Sequence, residues 1–252
     1  MSDEDQKVVI VTGGSKGIGA GLVATYRQQG WAVVATSRTI KPAADPAVLT
    51  VAGDISDPST AGRIVTAALE AFGRIDTLIN NAGVFIARPF TDYTDEDYAL
   101  AVGVNLAGFF WLTQRLITEM LTRQSGHVVN ISATLADYAS SSTPSVLTSL
   151  TKGGLASATR SLAIEYAARG IRVSTVSPGV IQTPEPAPDT YDALAALHPL
   201  GRVGHAVTSS TASSTWSHPR SSPERSCTST GARSPAADVR RRVRLGSASG
   251  RA

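Results

Sequence analysis

The sequence predicts one doubly wound α/β domain: a single parallel sheet in a three-layer α/β/α arrangement. Three observations carry that expectation. Apolar, β-rich runs alternate with helical stretches over residues 1–204. The runs are apolar throughout rather than at every second position, as expected of strands buried on both faces. The 252-residue length suits one domain with a sizeable core.

In chain order, KVVIVTGG (7–14) is an apolar strand ending in glycines, and residues 17–29 read as a helix. WAVVATS (31–37) and VLTVAGD (48–54) are the second and third strands. Residues 58–72 are helical, with Pro58 suited to the first turn. IDTLINNAG (75–83) is a fourth strand with a glycine stop. A long helix covers 95–122, GHVVNIS (126–132) is a fifth strand, a second long helix covers 146–168, and IRVSTVSPG (171–179) is the sixth strand.

Composition narrows the function classes. No apolar run approaches the roughly 20 residues of a membrane helix. The acidic start, MSDEDQK, lacks the apolar core of a secretory signal. A lone Cys227 supports neither a disulfide framework nor a metal quartet, and His127, His198, His205 and His218 lack ligand spacing and read as surface residues. A reduced, cytoplasmic setting without a metal follows as the expectation. The net charge of +3 comes from the C-terminal part. Residues 1–204 carry 15 Lys/Arg against 18 Asp/Glu, whereas 205–252 carry 8 Arg against Glu224 and Asp238. That basic segment has no aromatic interleaving beyond Trp216, so nucleic-acid binding is not expected.

TGGSKGIG (12–19) follows a strand and opens a helix. Its glycines let backbone approach a pyrophosphate, and the helix N-terminus offers free N–H groups and partial positive charge. A dinucleotide site usually selects NAD with an acidic residue at the end of the second strand. Ser37 stands there, followed by Arg38, and Lys16 lies inside the loop. Two cations and no carboxylate favour the 2′-phosphate of NADP(H).

TGGSKGIG, NNAG (80–83), Asn105, ISA (131–133), Lys152 in TSLTK and SPG (177–179) occur in that order, and together they resemble the short-chain dehydrogenase/reductase family. The resemblance covers residues 7 to about 204 and is closest in kind to 3-oxoacyl reductases. It implies a single Rossmann-like domain, forming homodimers or homotetramers if the C-terminus is intact, that moves a hydride between NAD(P)H and a carbonyl or alcohol. By resemblance, Gly13, Ser15, Lys16, Gly17, Ile18 and Gly19 would hold the pyrophosphate and nearby ribose. Asp54 and Ile55 would flank the adenine. Asn81, Ala82 and Gly83 would line the cofactor cleft, and Pro178, Gly179, Ile181 and Thr183 would border the nicotinamide. Asn105 would hold a relay water, Ser132 would bond the substrate carbonyl, and Lys152 would bind the nicotinamide ribose and activate a tyrosine four residues earlier. Asn80 and Asn81 read equally well as ties between strand ends.

That tyrosine is absent: Thr148 stands in its place. The i, i+4 spacing puts Thr148 and Lys152 on one helix face. A phenol of pKa about 10 can be brought into range by a nearby ammonium; an aliphatic hydroxyl cannot. Three explanations stand at this point. Another group, such as Tyr138, Asp137 or a lysine-linked water, supplies the proton; the protein binds NADP(H) without turnover; or the sequence carries a lesion.

After Gly204 the period is lost in a segment rich in Ser, Thr, Arg and Pro. Either it is a low-complexity tail or it is the right gene in the wrong frame. TCN serine codons read one base earlier become NTC, which encodes Phe, Leu, Ile or Val. Threonine codons become NAC, which encodes Asn, Asp, His or Tyr. From Val207, permitted codons in that frame give DVVDGVLYLESPAFVTGEILHVDGGQ, a helix-like stretch followed by a β-run ending in VDGG. Residues 205–252 are therefore expected to be a frameshift product replacing the family's last helix and strand. As written, they would leave the sixth strand without its neighbour and the edge exposed.

Overall fold

The computed structural model describes residues 6–141, 143–182, 203–205 and 226–228. Seven parallel strands form one sheet: β1 (Val8–Thr12), β2 (Ala32–Ser37), β3 (Val48–Ala52), β4 (Thr77–Asn80), β5 (Gly126–Ile131), β6 (Ile171–Ser177) and, at one edge, Ser226–Thr228. A two-residue pair, β7 (Ile181–Gln182) with β8 (Gly204–His205), stands apart, and the Ser226–Thr228 strand is therefore β9. The sheet order is β3-β2-β1-β4-β5-β6-β9. The chain runs outward from β1 to β3, then returns to β4 on the other side of β1. A strand order that reverses there opens a crevice at the carboxyl ends of β1 and β4, the place where open α/β sheets take ligands.

Two apolar layers confirm the expected doubly wound fold. Val8 and Ile10 of β1, with Val34, Leu78 and Val128, pack against Ile64 and Ala68 of α2 (Pro58–Phe72) and Leu112, Leu116 and Met120 of α4 (Gly108–Thr122). Alternate residues Val9 and Val11, with Val33, Ile79 and Val129, pack on the other face against Leu22 and Tyr26 of α1 (Gly17–Gln28). Period-two alternation within a strand buried on both sides produces this division.

Local signals set the helix ends. Asp57 caps α2 by accepting from Ser59 N, Pro58 sits at the first position, and Gly73 ends the helix with φ 69°. Thr94 and Asp97 form a capping box at α3 (Asp95–Val102). The single helix expected over 95–122 is divided. A π turn, Gly103–Ala107, separates α3 from α4 and carries Asn105. Together Asp95–Thr122 is long and apolar enough to cross a membrane by length and composition, contrary to the expectation from apolar runs. Its buried face, however, belongs to the core against α2 and the sheet. A short helix, α5 (Thr134–Asp137), follows β5 and had no sequence signal; α6 (Val146–Tyr166) then crosses back over the sheet.

Two expectations are corrected. His127 is not a surface residue: it lies 2% exposed on β5, where the strand is buried on both sides. The sixth strand is not left bare either, because β9 from the tail pairs with it at Thr175↔Ser226, Val176↔Cys227 and Ser177↔Thr228. The remaining residues of the 205–252 segment, with His218, and also His198 and Thr183, lie outside the described residues.

Candidate active site

The loop after β1 is built for backbone approach. Gly13 and Gly17 adopt left-handed φ values of 67° and 57°, which favour glycine. A Cβ on Gly19 would collide with the Gly13 carbonyl oxygen, so no side chain fits there. Lys16 is the N-cap of α1 without a side-chain cap bond, and the first turn holds no acidic residue, leaving the helix dipole positive at the crevice. Ser15 and Lys16 are exposed, Gly19 is buried, and Ile18 packs against the α1-side core.

Asn81 acts as a tie. Its Nδ2 donates to the carbonyls of Thr12 at 2.8 Å and Gly13 at 3.3 Å. Thr12 Oγ1 returns the tie by accepting from Asn81 N at 3.0 Å and Ala82 N at 2.9 Å. The two loops flanking the crevice, after β1 and after β4, are thus bound to each other. Thr12 escaped the sequence reading; a threonine closing a strand immediately before two glycines was the available signal. Asn80 likewise ties elements, donating from Nδ2 to Thr113 Oγ1 and Asn130 Oδ1, each at 2.9 Å.

At the end of β2, Ser37 Oγ is buried and has no hydrogen-bond partner among the described residues. The neighbouring Arg38 is exposed. Asp54 lies opposite, its carboxyl held below the usual range first by the Ser56 hydroxyl and amide and, further down, by the Arg38 guanidinium. Ile55 is buried behind it against Gly108. An orphaned hydroxyl, a nearby guanidinium and a side-chain-free loop fit an adenosine dinucleotide laid across the switch point.

Four of the five proposed catalytic residues converge. Asn105 accepts from Val84 N at 2.9 Å and donates to Val84 O and to Thr151 Oγ1, each at 3.1 Å. Thr151, fully buried on α6, is a second residue the sequence reading missed. Lys152 Nζ donates to Ile131 O at 2.8 Å, and Ser132 Oγ donates to Lys152 O at 3.3 Å. A Cβ built on exposed Gly83 would meet Lys152 Nζ at 2.8 Å and Asn105 Oδ1 at 3.2 Å, so the amine and the amide lie together beneath that glycine. Burial lowers the Lys152 pKa to about 8. Thr148 is buried one turn before Lys152 on the same face of α6.

Tyr138 stands apart in kind, 46% exposed at the C-terminal end of α5, its amide donating to Thr134 O. It is nevertheless carried to the same edge: Ser149 Oγ donates to Leu135 O at 3.0 Å, which ties α5 to α6 one turn from Lys152. Thr134 N donates to Pro178 O at 3.1 Å, so the loop after β6 also borders this edge. Pro178 is buried, Gly179 is half-buried and Ile181 lies in β7.

Residues 7–191 match the family model described as short chain dehydrogenase. The chain is 34% identical over 223 residues to 3beta-hydroxysteroid dehydrogenase 1 of Eggerthella lenta, spanning 79% of this chain and 81% of that protein. It is 33% identical over 186 residues to oxidoreductase UcpA of Escherichia coli K12, spanning 71% and 70%. Among solved structures, the 3-ketoacyl-(acyl-carrier-protein) reductase from Brucella melitensis, complexed with NADH, superposes with a TM-score of 0.81 at 28% identity, over 89% of this chain and 97% of that one. With a glycine-cradled switch point, an ordered set of Asn105, Ser132 and Lys152, and these relatives, the chain belongs to the short-chain dehydrogenase family.

Proposed function

We propose that this protein is a slow NADP(H)-dependent reductase of small ketones, of the 3-oxoacyl or a similar class, working in the cytoplasm, and as a homodimer or homotetramer where its C-terminus is intact. The observation that carries this reading is the buried Lys152 amine, set beside Asn105 and Ser132 under Gly83 and facing a crevice whose other wall is the TGGSKGIG loop. Gly13, Ser15, Lys16, Gly17, Ile18 and Gly19 would hold the pyrophosphate. Ser37 and Arg38 would hold the 2′-phosphate, and Asp54 and Ile55 the adenine. Asn81, Ala82, Gly83, Lys152, Pro178, Gly179, Ile181 and Thr183 would line the nicotinamide half. Bound there, NADPH supplies the hydride equivalent.

The chain's own groups do the rest. Ser132 would turn its hydroxyl from the Lys152 carbonyl to donate to the substrate oxygen. Lys152, with a pKa near 8, carries a proton at neutral pH and can part with it more readily than an ordinary lysine. Thr148 can accept or donate a hydrogen bond but is too weak an acid to replace a phenol. The proton therefore comes from a Lys152-linked water or from Tyr138, and the missing phenol makes turnover slow by about 10² to 10⁴. A second reading, a non-catalytic NADP(H)-binding module, is favoured by that same aliphatic hydroxyl at position 148.

The Brucella neighbour carries NADH, so the 2′-phosphate is the point to test. Fluorescence titration should give tighter binding of NADPH than NADH by roughly tenfold or more, and Arg38→Asp should erase or reverse the preference. Equal affinities that Arg38→Asp leaves untouched would sink the NADP(H) assignment.

A further inference from the structure

A buried polar row lies behind the cleft. Asn80, Asn130 and Thr175 are in register across β4, β5 and β6. Asn80 Nδ2 donates to Thr113 Oγ1 of α4 and to Asn130 Oδ1, each at 2.9 Å. Asn130 Nδ2 donates to Thr159 Oγ1 of α6 at 2.8 Å. Thr159 Oγ1 also receives Thr175 Oγ1 at 2.9 Å and donates to Leu155 O at 2.9 Å, so this one hydroxyl has its donor and both acceptor positions filled. All five side chains are buried.

The row is the second of two rungs between β5 and α6. Asn130 on β5 and Ser132 immediately after it, still bonded to β6 through Ser132 N and Val176 O, are two residues apart in extended chain, hence on one face; Lys152 and Thr159 are seven apart on α6, two turns, hence also on one face. Ser132 meets Lys152 at the crevice and Asn130 meets Thr159 deeper in. Apolar contacts tolerate sliding of a helix along a sheet, whereas direction-dependent hydrogen bonds between fixed partners do not. A displacement of α6 along β5 would draw Lys152 Nζ away from Ile131 O and admit water.

We propose that Asn130 and Thr159 are positioning residues: their hydrogen bond fixes the height of α6 on β5 and thereby places the Lys152 amine beside Ile131 and Ser132. The proposal rests on the reading of Lys152 as a working group of the cleft, and it is read out without turnover.

The chain has four lysines, Lys7, Lys16, Lys41 and Lys152, so ¹³Cε-lysine NMR can follow Lys152 in the full, cofactor-free protein. The parent midpoint should lie near 8. Thr159→Val should raise it by about one pH unit or more as water reaches the amine, and Thr159→Ser should restore it. Thr113→Val removes a partner of Asn80 but leaves the second rung, and should not move it. If Thr159→Val fails to fold, Thr159→Cys, a weaker acceptor, should shift the midpoint in the same direction. Loss of stability in Thr159→Val with an unmoved Lys152 midpoint would overturn the proposal, as would an equal shift in Thr113→Val. A shifted Lys152 with unchanged NADPH affinity would uphold positioning while counting against the part assigned to Lys152 at the cofactor.

Discussion

Lys152 owes its lowered pKa to burial alone, with a backbone carbonyl as its hydrogen-bond acceptor. His127 is perturbed by the same physics with a different consequence. Its Nε2 lies 2.9 Å from Ser174 Oγ and its Nδ1 has no partner among the described residues. Burial first, and the Arg172 charge second, lower its pKa from 6.5 to about 3. The folded state therefore keeps His127 neutral while the unfolded state takes up a proton below pH 6.5. Stability contributed above pH 6.5 is lost as pH falls from there toward 3. Urea unfolding at pH 7 and pH 5 should show the parent losing about 2 kcal/mol more than His127→Gln; equal losses would contradict the buried, neutral histidine. The strand GHVVNIS was legible and the histidine was not, because the absence of metal spacing says nothing about exposure. A histidine inside a run buried on both faces was the better signal. The proximity of Asn105, Ser132 and Lys152 was legible from motif order, but Thr12 and Thr151 were not, since each acts by holding another residue's amide.

Elements were legible where apolar period and caps agreed. β1 to β6, α1, α2 and α6 fall within a few residues of expectation because Asp57, Pro58 and Gly73 at the α2 ends, or unbroken apolar runs in the strands, leave little choice. The π turn at 103–107 was not visible, since an extra residue in a turn leaves both flanking helices with ordinary patterns. α5 and the β7–β8 pair are too short to carry a period. β9 is instructive: three residues of an aperiodic Ser/Arg-rich segment pair with β6, where an edge strand offers unpaired N–H and C=O groups to whatever extended chain is near. We propose that a frameshift put this segment where an encoded last helix and strand ending in VDGG would stand. Re-reading the coding DNA around codons 205–207 should reveal one base gained or lost. A clean in-frame reading of the Ser/Arg-rich tail would end that proposal.

At the scale of the whole molecule, the strand-order reversal between β1 and β4 brings the TGGSKGIG loop to one wall of a crevice and Asn105, Ser132 and Lys152 to the other. The Asn81–Thr12 exchange binds the two walls together, and the Asn130–Thr159 rung sets α6 at its height on the sheet. We propose that the described residues hold what hydride transfer to a ketone needs except for one phenol, which Thr148 replaces. NADPH oxidation over a panel of small ketones, with the parent and Thr148→Tyr in parallel, tests it most directly. Slow but measurable turnover by the parent is expected, with a gain of about 10² or more in Thr148→Tyr. NADPH bound by both proteins with neither turning over, or a parent as fast as the variant, would contradict it.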